Sequence, residues 1–118
     1  MISPVPWTEE AELHMQHPAA GKCIEYLKLE VAQGVSKLWH CRDEEDEAYM
    51  ITRLDSNPTE LVVCYFEGSG LVKFGREVVE AAHARKVPVR IHTVQESVAR
   101  LCRRIGIWNR ETIMRSEP

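Results

Sequence analysis

One stretch of this chain, a continuous apolar run that leads through a glycine turn into a helix, constrains the fold most strongly. Residues 61–66 (Leu-Val-Val-Cys-Tyr-Phe) are all apolar, which predicts a strand covered on both faces, because a half-exposed strand would alternate. The turn 68–70 (Gly-Ser-Gly) ends it. From Leu71 apolar residues recur every three or four positions, which predicts a helix with one buried face. Pro88 then ends the helix, and residues 89–93 alternate as a short strand.

The rest of the sequence predicts short helices and short strands. Thr8 precedes two glutamates and is the expected N-cap of the first helix. The second helix is expected to bury Ile24, Leu27 and Val31, with Tyr26 alongside, and to end at Gly34. In chain order we predict a strand at 2–6, a helix over 9–16, a second helix from about 19 or 20, and a hairpin of strands 36–41 and 48–54. The strand, helix and strand of residues 61–93 follow. A helix over 94–106 and one last strand within 107–114 complete the chain. The order is therefore β-α-α-β-β-β-α-β-α-β.

The length, cysteine spacing and charge of the chain narrow its domain count, its compartment and its possible ligands. With 118 residues we expect a single domain, residues 1–118. No apolar run reaches the length of a membrane span, and the irregular cysteine spacing favours free thiols in a reducing compartment. Residues 1–70 hold 5 Lys/Arg against 13 Asp/Glu, a balance of −8, and residues 71–118 hold 10 against 5, a balance of +5. This split fits two solvated faces, head-to-tail contact with another copy, or a basic face for phosphate-bearing ligands.

Acidic and histidine residues raise the question of a metal site. The hairpin loop 42–47 carries five consecutive acids, which suit either a cationic partner or a solvated hairpin tip. His14 and His17 would share one side of a helix. His40 and Cys41 are neighbours on a strand and point to opposite faces, so they do not readily share one ion. We therefore predict no metal site.

A cluster of arginines near the C-terminus is the one candidate for nucleic-acid binding. It consists of Arg100, Arg103, Arg104 and Arg110, with Trp108 available to stack on a base. The net charge of −3 disfavours that role. We expect no nucleic-acid partner.

The predicted order, together with residues 94–107, resembles the GCN5-related N-acetyltransferase family over nearly the whole chain. Gln95 falls where the family has an asparagine, Cys102 where it has a tyrosine, and Gly106-Ile107 at its closing Gly-Phe pair. The resemblance implies an α/β fold with a mixed, mostly antiparallel sheet flanked by helices. It also implies acetyl-CoA as cofactor, with Gln95 among the cofactor-binding residues.

The glycine turn is the expected cofactor contact. In the family, backbone amides of such a turn at a helix N-terminus hold the acetyl-CoA pyrophosphate, where unpaired N–H groups and the helix dipole favour an anion. Gly68, Ser69 and Gly70 lie at that place. The alternative interpretation is that the glycines merely permit a tight strand-to-helix turn.

Two residues at the turn depart from the family pattern. Tyr65 stands where the family has Arg or Gln, and the carboxylate of Glu67 is expected to oppose a pyrophosphate. Lys73 and Arg76, in the first turns of the helix, would offset part of that repulsion.

The resemblance also assigns catalytic roles. The family uses a general acid to protonate the departing CoA thiolate, commonly the helix tyrosine, and Cys102 takes that position. Glu67, at the end of the central strand, or His92 would be the base that frees the amine. Each has a structural alternative, a buried core thiol for Cys102 and a structural histidine for His92.

The weakened cofactor turn is similar to that of the small acetyltransferase-like internal virion proteins of short-tailed phages. This resemblance implies a non-catalytic structural or packaging component, located in the virion or the host cytoplasm, with protein partners or self-association. The alternative is an active N-acetyltransferase acting on a small-molecule or protein amine. An acyl-CoA sensor, which needs the turn but not Cys102, is a third possibility.

Overall fold

The computed structural model describes residues 1–15, 23–56, 58–92, 108–110 and 113–116. Its elements are β1 (Ile2–Val5), α1 (Glu9–His14), α2 (Cys23–Ala32), β2 (Ser36–Arg42), β3 (Glu47–Asp55), β4 (Glu60–Gly68), α3 (Leu71–Ala84), β5 (Val89–His92), β6 (Trp108–Arg110) and β7 (Ile113–Ser116). Within these residues seven strands form one sheet in the order β1-β2-β3-β4-β5-β7-β6. Only the β4–β5 pair among them is parallel. The predicted α/β class with a mixed, mostly antiparallel sheet is confirmed.

The first eight predicted elements are present in the predicted order. Thr8 caps α1 through its side-chain oxygen, which accepts a hydrogen bond from the backbone N–H of Ala11 at 3.1 Å. α1 ends at His14, two residues earlier than expected. The expected start of α2 at residue 19 or 20 lies outside the described residues, as does the predicted helix over 94–106.

The C-terminal prediction of one last strand is wrong. β6 and β7 are two strands that pair antiparallel, with Trp108 opposite Arg115 and Arg110 opposite Ile113. β6 and β7 therefore run in opposite directions. No glycine or proline lies between them in the sequence, so the pattern does not predict two paired strands here.

The sheet has a separate apolar cluster on each face. Phe74, Val79 and Ala82 of α3 pack on one face with buried sheet residues that include Met50 and Val63. α1 and α2 cover the other face, where the buried residues are Ala11, Met15, Ile24, Leu27, Leu38, Tyr49 and Ile51. Strand β4 contributes to both clusters, so the prediction that it is covered on both faces is confirmed.

A β-bulge in β4 sets which of its side chains lie on which face. Tyr65 pairs with Ile51 while Val63 pairs with Thr52, so Cys64 has no partner on β3. Such an extra residue shifts the alternation of the strand by one position. Phe66 consequently packs on the α3 side, whereas Cys64 and Tyr65 pack under α1 and α2.

Helix α2 packs on the sheet through the apolar positions that its spacing predicted, including the partly buried Val31. Ile24 and Leu27 are buried as predicted, but Tyr26 is 62% exposed, so its expected packing role is wrong. Glu30 is instead buried, because it continues the three-residue spacing of Ile24 and Leu27. Its carboxylate accepts a hydrogen bond from Ser36 Oγ at 3.1 Å and lies 3.6 Å from Arg53 Nη1.

None of the helices described is both long and apolar enough to cross a membrane.

Candidate functional site

The glycines of the turn between β4 and α3 are required by close packing. Gly68 has φ of +131°, and a Cβ there would lie 2.4 Å from the carbonyl oxygen of Glu47. Gly70 has φ of +84°, and its Cβ would lie 2.8 Å from the ring of Phe74 and 2.9 Å from Cβ of Asp46. Both values of φ and the missing space exclude a larger side chain. Close packing and positive φ therefore explain both glycines without a bound ligand.

The β2–β3 hairpin packs directly against this turn. The backbone N–H of Ser69 donates to the carbonyl oxygen of Glu47 at 3.0 Å. The backbone N–H of Glu47 in turn donates to Ser69 Oγ at 3.1 Å. The amide of Ser69, which the resemblance assigns to a pyrophosphate, is therefore occupied by the hairpin.

Two acids of the hairpin loop bind the first turn of α3. Lys73 Nζ donates to Asp43 Oδ2 at 2.5 Å and to Asp46 Oδ2 at 2.7 Å. Asp43 Oδ1 also accepts the backbone N–H groups of Glu45 and Asp46, at 2.9 and 2.7 Å, which closes the loop on itself. We refer to Asp43, Asp46 and Lys73 as the hairpin clamp. The acidic loop therefore holds α3 through Lys73 and is not only a solvated hairpin tip.

The hairpin clamp changes the electrostatics expected at the turn. Carboxylates are favourable at a helix N-terminus because the unpaired N–H groups and the dipole stabilise negative charge. Asp46 provides that charge beside Gly70. Lys73, expected to attract a pyrophosphate, is held by two carboxylates of its own chain.

An open cavity of about 510 Å³ adjoins the turn. Its charged lining consists of Asp46, Lys73, Arg76, Glu77 and Glu80. Three carboxylates against two cations make this a mixed surface, with no excess of positive charge for a polyphosphate. Within the lining, Arg76 is the cation outside the hairpin clamp.

Glu67, the predicted base, lies on the opposite face of the sheet, under α1. It pairs with Tyr49 on β3, and Tyr49 pairs with His40 on β2, so the three residues form a row across three strands. Oε2 of Glu67 is buried and has no hydrogen-bond partner among the described residues. The expected repulsion at the glycine turn therefore comes from Asp46 rather than from Glu67.

Two histidines complete this row. The His40 ring stacks on Tyr49 with centroids 4.8 Å apart, and the His14 ring lies 5.4 Å from Tyr49. His40 Nε2 lies 2.8 Å from Glu47 Oε2, and this contact lowers the pKa of Glu47. Burial, followed by the charges of nearby glutamates, raises the pKa of Tyr49, which keeps its hydroxyl protonated near neutral pH. We refer to Glu67, Tyr49, His40 and His14 as the polar row.

Sequence reasoning found these residues singly but not together. His14 and His40 were considered only as metal ligands, and Tyr49 was included only in the predicted strand 48–54. Side chains on one face of neighbouring strands meet only once the register is fixed. Among the described residues no group of three His, Cys, Asp or Glu could hold a metal ion.

Glu67 lies beyond the described pairing of β4 with β5. Among the described residues, β5 pairs with β4 at residues 61–63. Beyond the bulge, residues 65–68 pair with β3. Glu67 is therefore at the end of β4 that adjoins the glycine turn.

The predicted site residues Cys102 and Gln95 lie outside the described residues, so their proposed roles stay predictions. The backbone of His92 lies in β5 opposite Ile113.

Two free thiols lie within the described residues. Cys41 is buried, and burial raises its pKa to about 11. Burial also raises the pKa of Cys64. Neither thiol is a ready nucleophile, because the thiolate is the reactive form.

The hairpin clamp makes a testable prediction about pH. Hydrogen bonding by Lys73 is the main cause that lowers the pKa of Asp43 to about 2. A lowered pKa means that the interaction is present above the unfolded value of about 3.9 and is lost as pH falls through about 2. Carboxyl-carbon NMR should show Asp43 titrating near pH 2 and, in Lys73→Met, closer to its ordinary value.

Lys28→Met is the matched control for that titration, because Lys28 pairs with Glu12 on the other face of the sheet. It should leave the Asp43 midpoint unchanged. A wild-type midpoint near pH 4 would show that the hairpin clamp does not form.

Comparison of the chain with protein-family models, with curated proteins and with solved structures gave no significant match in any of the three searches.

Proposed function

We propose that this chain is an acetyltransferase-fold protein that does not use acetyl-CoA and acts as a non-catalytic structural or packaging component, in a phage particle as the resemblance implies. The observation that carries the proposal is the hairpin clamp. Asp46 lies at the anion-favouring end of α3, and Asp43 and Asp46 hold the lysine of its first turn. A pyrophosphate would have to displace two carboxylates and one backbone hydrogen bond of the protein itself.

The topology supports the acetyltransferase fold as part of the proposal. The order from β1 to β5 agrees with the order expected from the resemblance. β4 and β5 are parallel neighbours joined through α3, and the glycine turn stands between β4 and that helix.

Exposed apolar side chains support a role in protein contact. Tyr26 and Leu29, three positions apart on α2, are 62% and 53% exposed, and Leu13 of α1 is 71% exposed. Large apolar groups left in water at neighbouring helix positions are typical of surfaces that bind protein.

Calorimetric titration with acetyl-CoA and CoA tests the proposal. The wild-type protein should give no heat of binding up to about 1 mM cofactor, which corresponds to a binding free energy weaker than about −4 kcal/mol. The Asp43→Asn/Asp46→Asn variant should gain measurable binding, because it removes both carboxylates and releases Lys73.

The matched control is Glu44→Gln/Glu45→Gln, which removes the same charge from exposed residues of the same loop without touching Lys73. It should bind no better than wild type. Micromolar binding of acetyl-CoA by the wild-type protein would overturn the proposal. An equal gain in both double variants would show that overall charge, and not the hairpin clamp, opposes the cofactor.

An active N-acetyltransferase is the second candidate, and the polar row favours it. Glu67 has a buried carboxylate oxygen without a described partner, beyond the described pairing of β4 with β5. That carboxylate could accept a proton from an amine, while the protonated hydroxyl of Tyr49 could serve as the acid. This alternative requires cofactor binding first, so the same titration decides whether it is pursued.

If acetyl-CoA binds, Glu67→Gln should lower the rate of amine acetylation about 100-fold, in line with the loss of a general base, and leave the cofactor affinity unchanged. Glu10→Gln, which alters a nearby charge in α1, is the control and should change the rate little. An unchanged rate in Glu67→Gln would exclude that residue as the base.

A further inference from the structure

A second cavity, on the α3 side of the sheet, shares one lining residue, Glu77, with the cavity at the glycine turn. It has a volume of about 450 Å³ and lies between the flank of α3 and strands β1 to β4. It exists because the described residues place one helix on this face, and β1 and β2 extend beyond it. Its volume falls within the range of small-molecule sites, about 300 to 1,000 Å³.

The floor of this cavity is mostly apolar, and its indole N–H is already paired. Trp39 Nε1 donates to Thr52 Oγ1 at 2.8 Å, and Met50 lies beside them. The Thr52 hydroxyl keeps its own proton to donate, so a ligand meets few polar groups here. The buried part of the ligand must be largely apolar, because a polar group placed here without a partner would lose its hydrogen bonds to water.

The mouth of the cavity keeps large apolar side chains in water. Leu54, which pairs with Leu61 across β3 and β4, is 64% exposed. Val78 and Ala81 of α3 form the opposite wall. An apolar ligand would remove this surface from water, which is the main source of affinity in such sites.

The cation of the lining lies at one end of the cavity. Arg85 follows the last residue of α3 and lines the cavity, and among the described residues it forms no salt bridge. Glu77, the carboxylate of the lining, comes eight residues earlier on α3, which is about 12 Å along the helix. The Arg85 end of the cavity thus favours an anionic head group at the end of an apolar body.

We propose that this cavity binds a small amphipathic carboxylate, an aliphatic chain whose carboxylate faces Arg85. The apolar floor takes the chain, and Arg85 takes the head group. A carboxylate matches this arrangement because its charge stays near water while its chain is buried.

Calorimetric titration with sodium hexanoate, octanoate and decanoate, below their micelle concentrations, tests the proposal. Each added methylene should lower the dissociation constant about fourfold if the chain is buried. Ala81→Leu, which fills the cavity, should weaken decanoate binding at least about tenfold. Ala84→Leu, on the same helix but outside the lining, should leave it unchanged.

The head group is tested by Arg85→Gln. This variant should weaken octanoate binding about two- to fivefold, as expected for a partly exposed ion pair, and leave octanol binding unchanged. Absence of binding by millimolar decanoate, affinity independent of chain length, or equal affinity in Ala81→Leu and wild type would each overturn the proposal. Self-association that Ala81→Leu abolishes, without decanoate binding, would assign the cavity to a second copy and overturn it as well.

Discussion

Replacement of Gly68 by alanine should destabilise the protein by about 3 kcal/mol or more, whether or not any cofactor binds. The new Cβ would lie 2.4 Å from the Glu47 carbonyl oxygen and 2.6 Å from Cα of Ala48. These are backbone atoms of the paired strand and cannot move without breaking the end of the β3–β4 ladder. The residue also has φ of +131°, where a side chain adds strain. Urea unfolding followed by circular dichroism measures the loss.

Gly34→Ala is the matched control. Gly34 also has positive φ, +75°, but a Cβ there meets no atom within 4 Å. Only the backbone strain remains, so the cost should be about 1 kcal/mol. Equal losses in the two variants would show that the hairpin does not pack on Gly68 as described.

The second large effect is expected for Arg53→Ala, at about 2 to 3 kcal/mol. Arg53 lies 3.6 Å from the carboxylate of Glu30, which is 9% exposed in its side chain, and donates from Nε to Asp55 Oδ1 at 2.6 Å. Removing the guanidinium leaves Glu30 buried with Ser36 as its remaining described partner. Arg53 itself is 30% exposed, which places the cost below that of a fully buried pair.

Lys28→Ala removes a salt bridge of the same kind from the exposed side of α2. Lys28 Nζ lies 3.2 Å from Glu12 Oε1, and the two side chains are 46% and 26% exposed. Its loss should cost less than about 1 kcal/mol, because water solvates both partners. If Arg53→Ala costs no more than Lys28→Ala, the contact between α2 and the sheet does not depend on this guanidinium.

Arg53 also makes stability depend on pH. Its hydrogen bond lowers the pKa of Asp55, so this contribution is present above the unfolded value of about 3.9 and is lost as pH falls below it. In Arg53→Ala the acid-induced loss of stability should therefore be smaller than in wild type. The unfolding midpoint measured at pH 7 and pH 3 tests this.

Local patterns were sufficient to predict most elements of the fold. The apolar run at 61–66 predicted β4, because a strand buried on both faces is apolar at successive positions. The spacing from Leu71 predicted α3, because a helix buried on one face has an apolar residue every three or four positions. Thr8 marked the start of α1 for a similar reason, since capping depends on residues that are adjacent in the chain.

The candidate sites were less predictable. The acids of the hairpin loop and Lys73 are about 30 positions apart in the sequence, and no local rule brings them together. Glu67 was expected at the glycine turn, but the bulge at Cys64 fixes the alternation of β4 and places Glu67 with Tyr49 instead. Whether a bulge forms depends on pairing with β3, and a single strand does not encode it.

The sequence by itself determined the order of elements up to β5 and the glycine turn, because these follow from periodicity and from residues with restricted backbone conformations. The class of the sheet was expected from the resemblance. The tertiary structure alone decided that the turn is closed by Asp43, Asp46 and Glu47, that Glu67 joins the polar row, and that Trp39 and Leu54 border an open cavity. The physical reason is that charge pairing, strand register and uncovered surface depend on contacts between residues far apart in the chain.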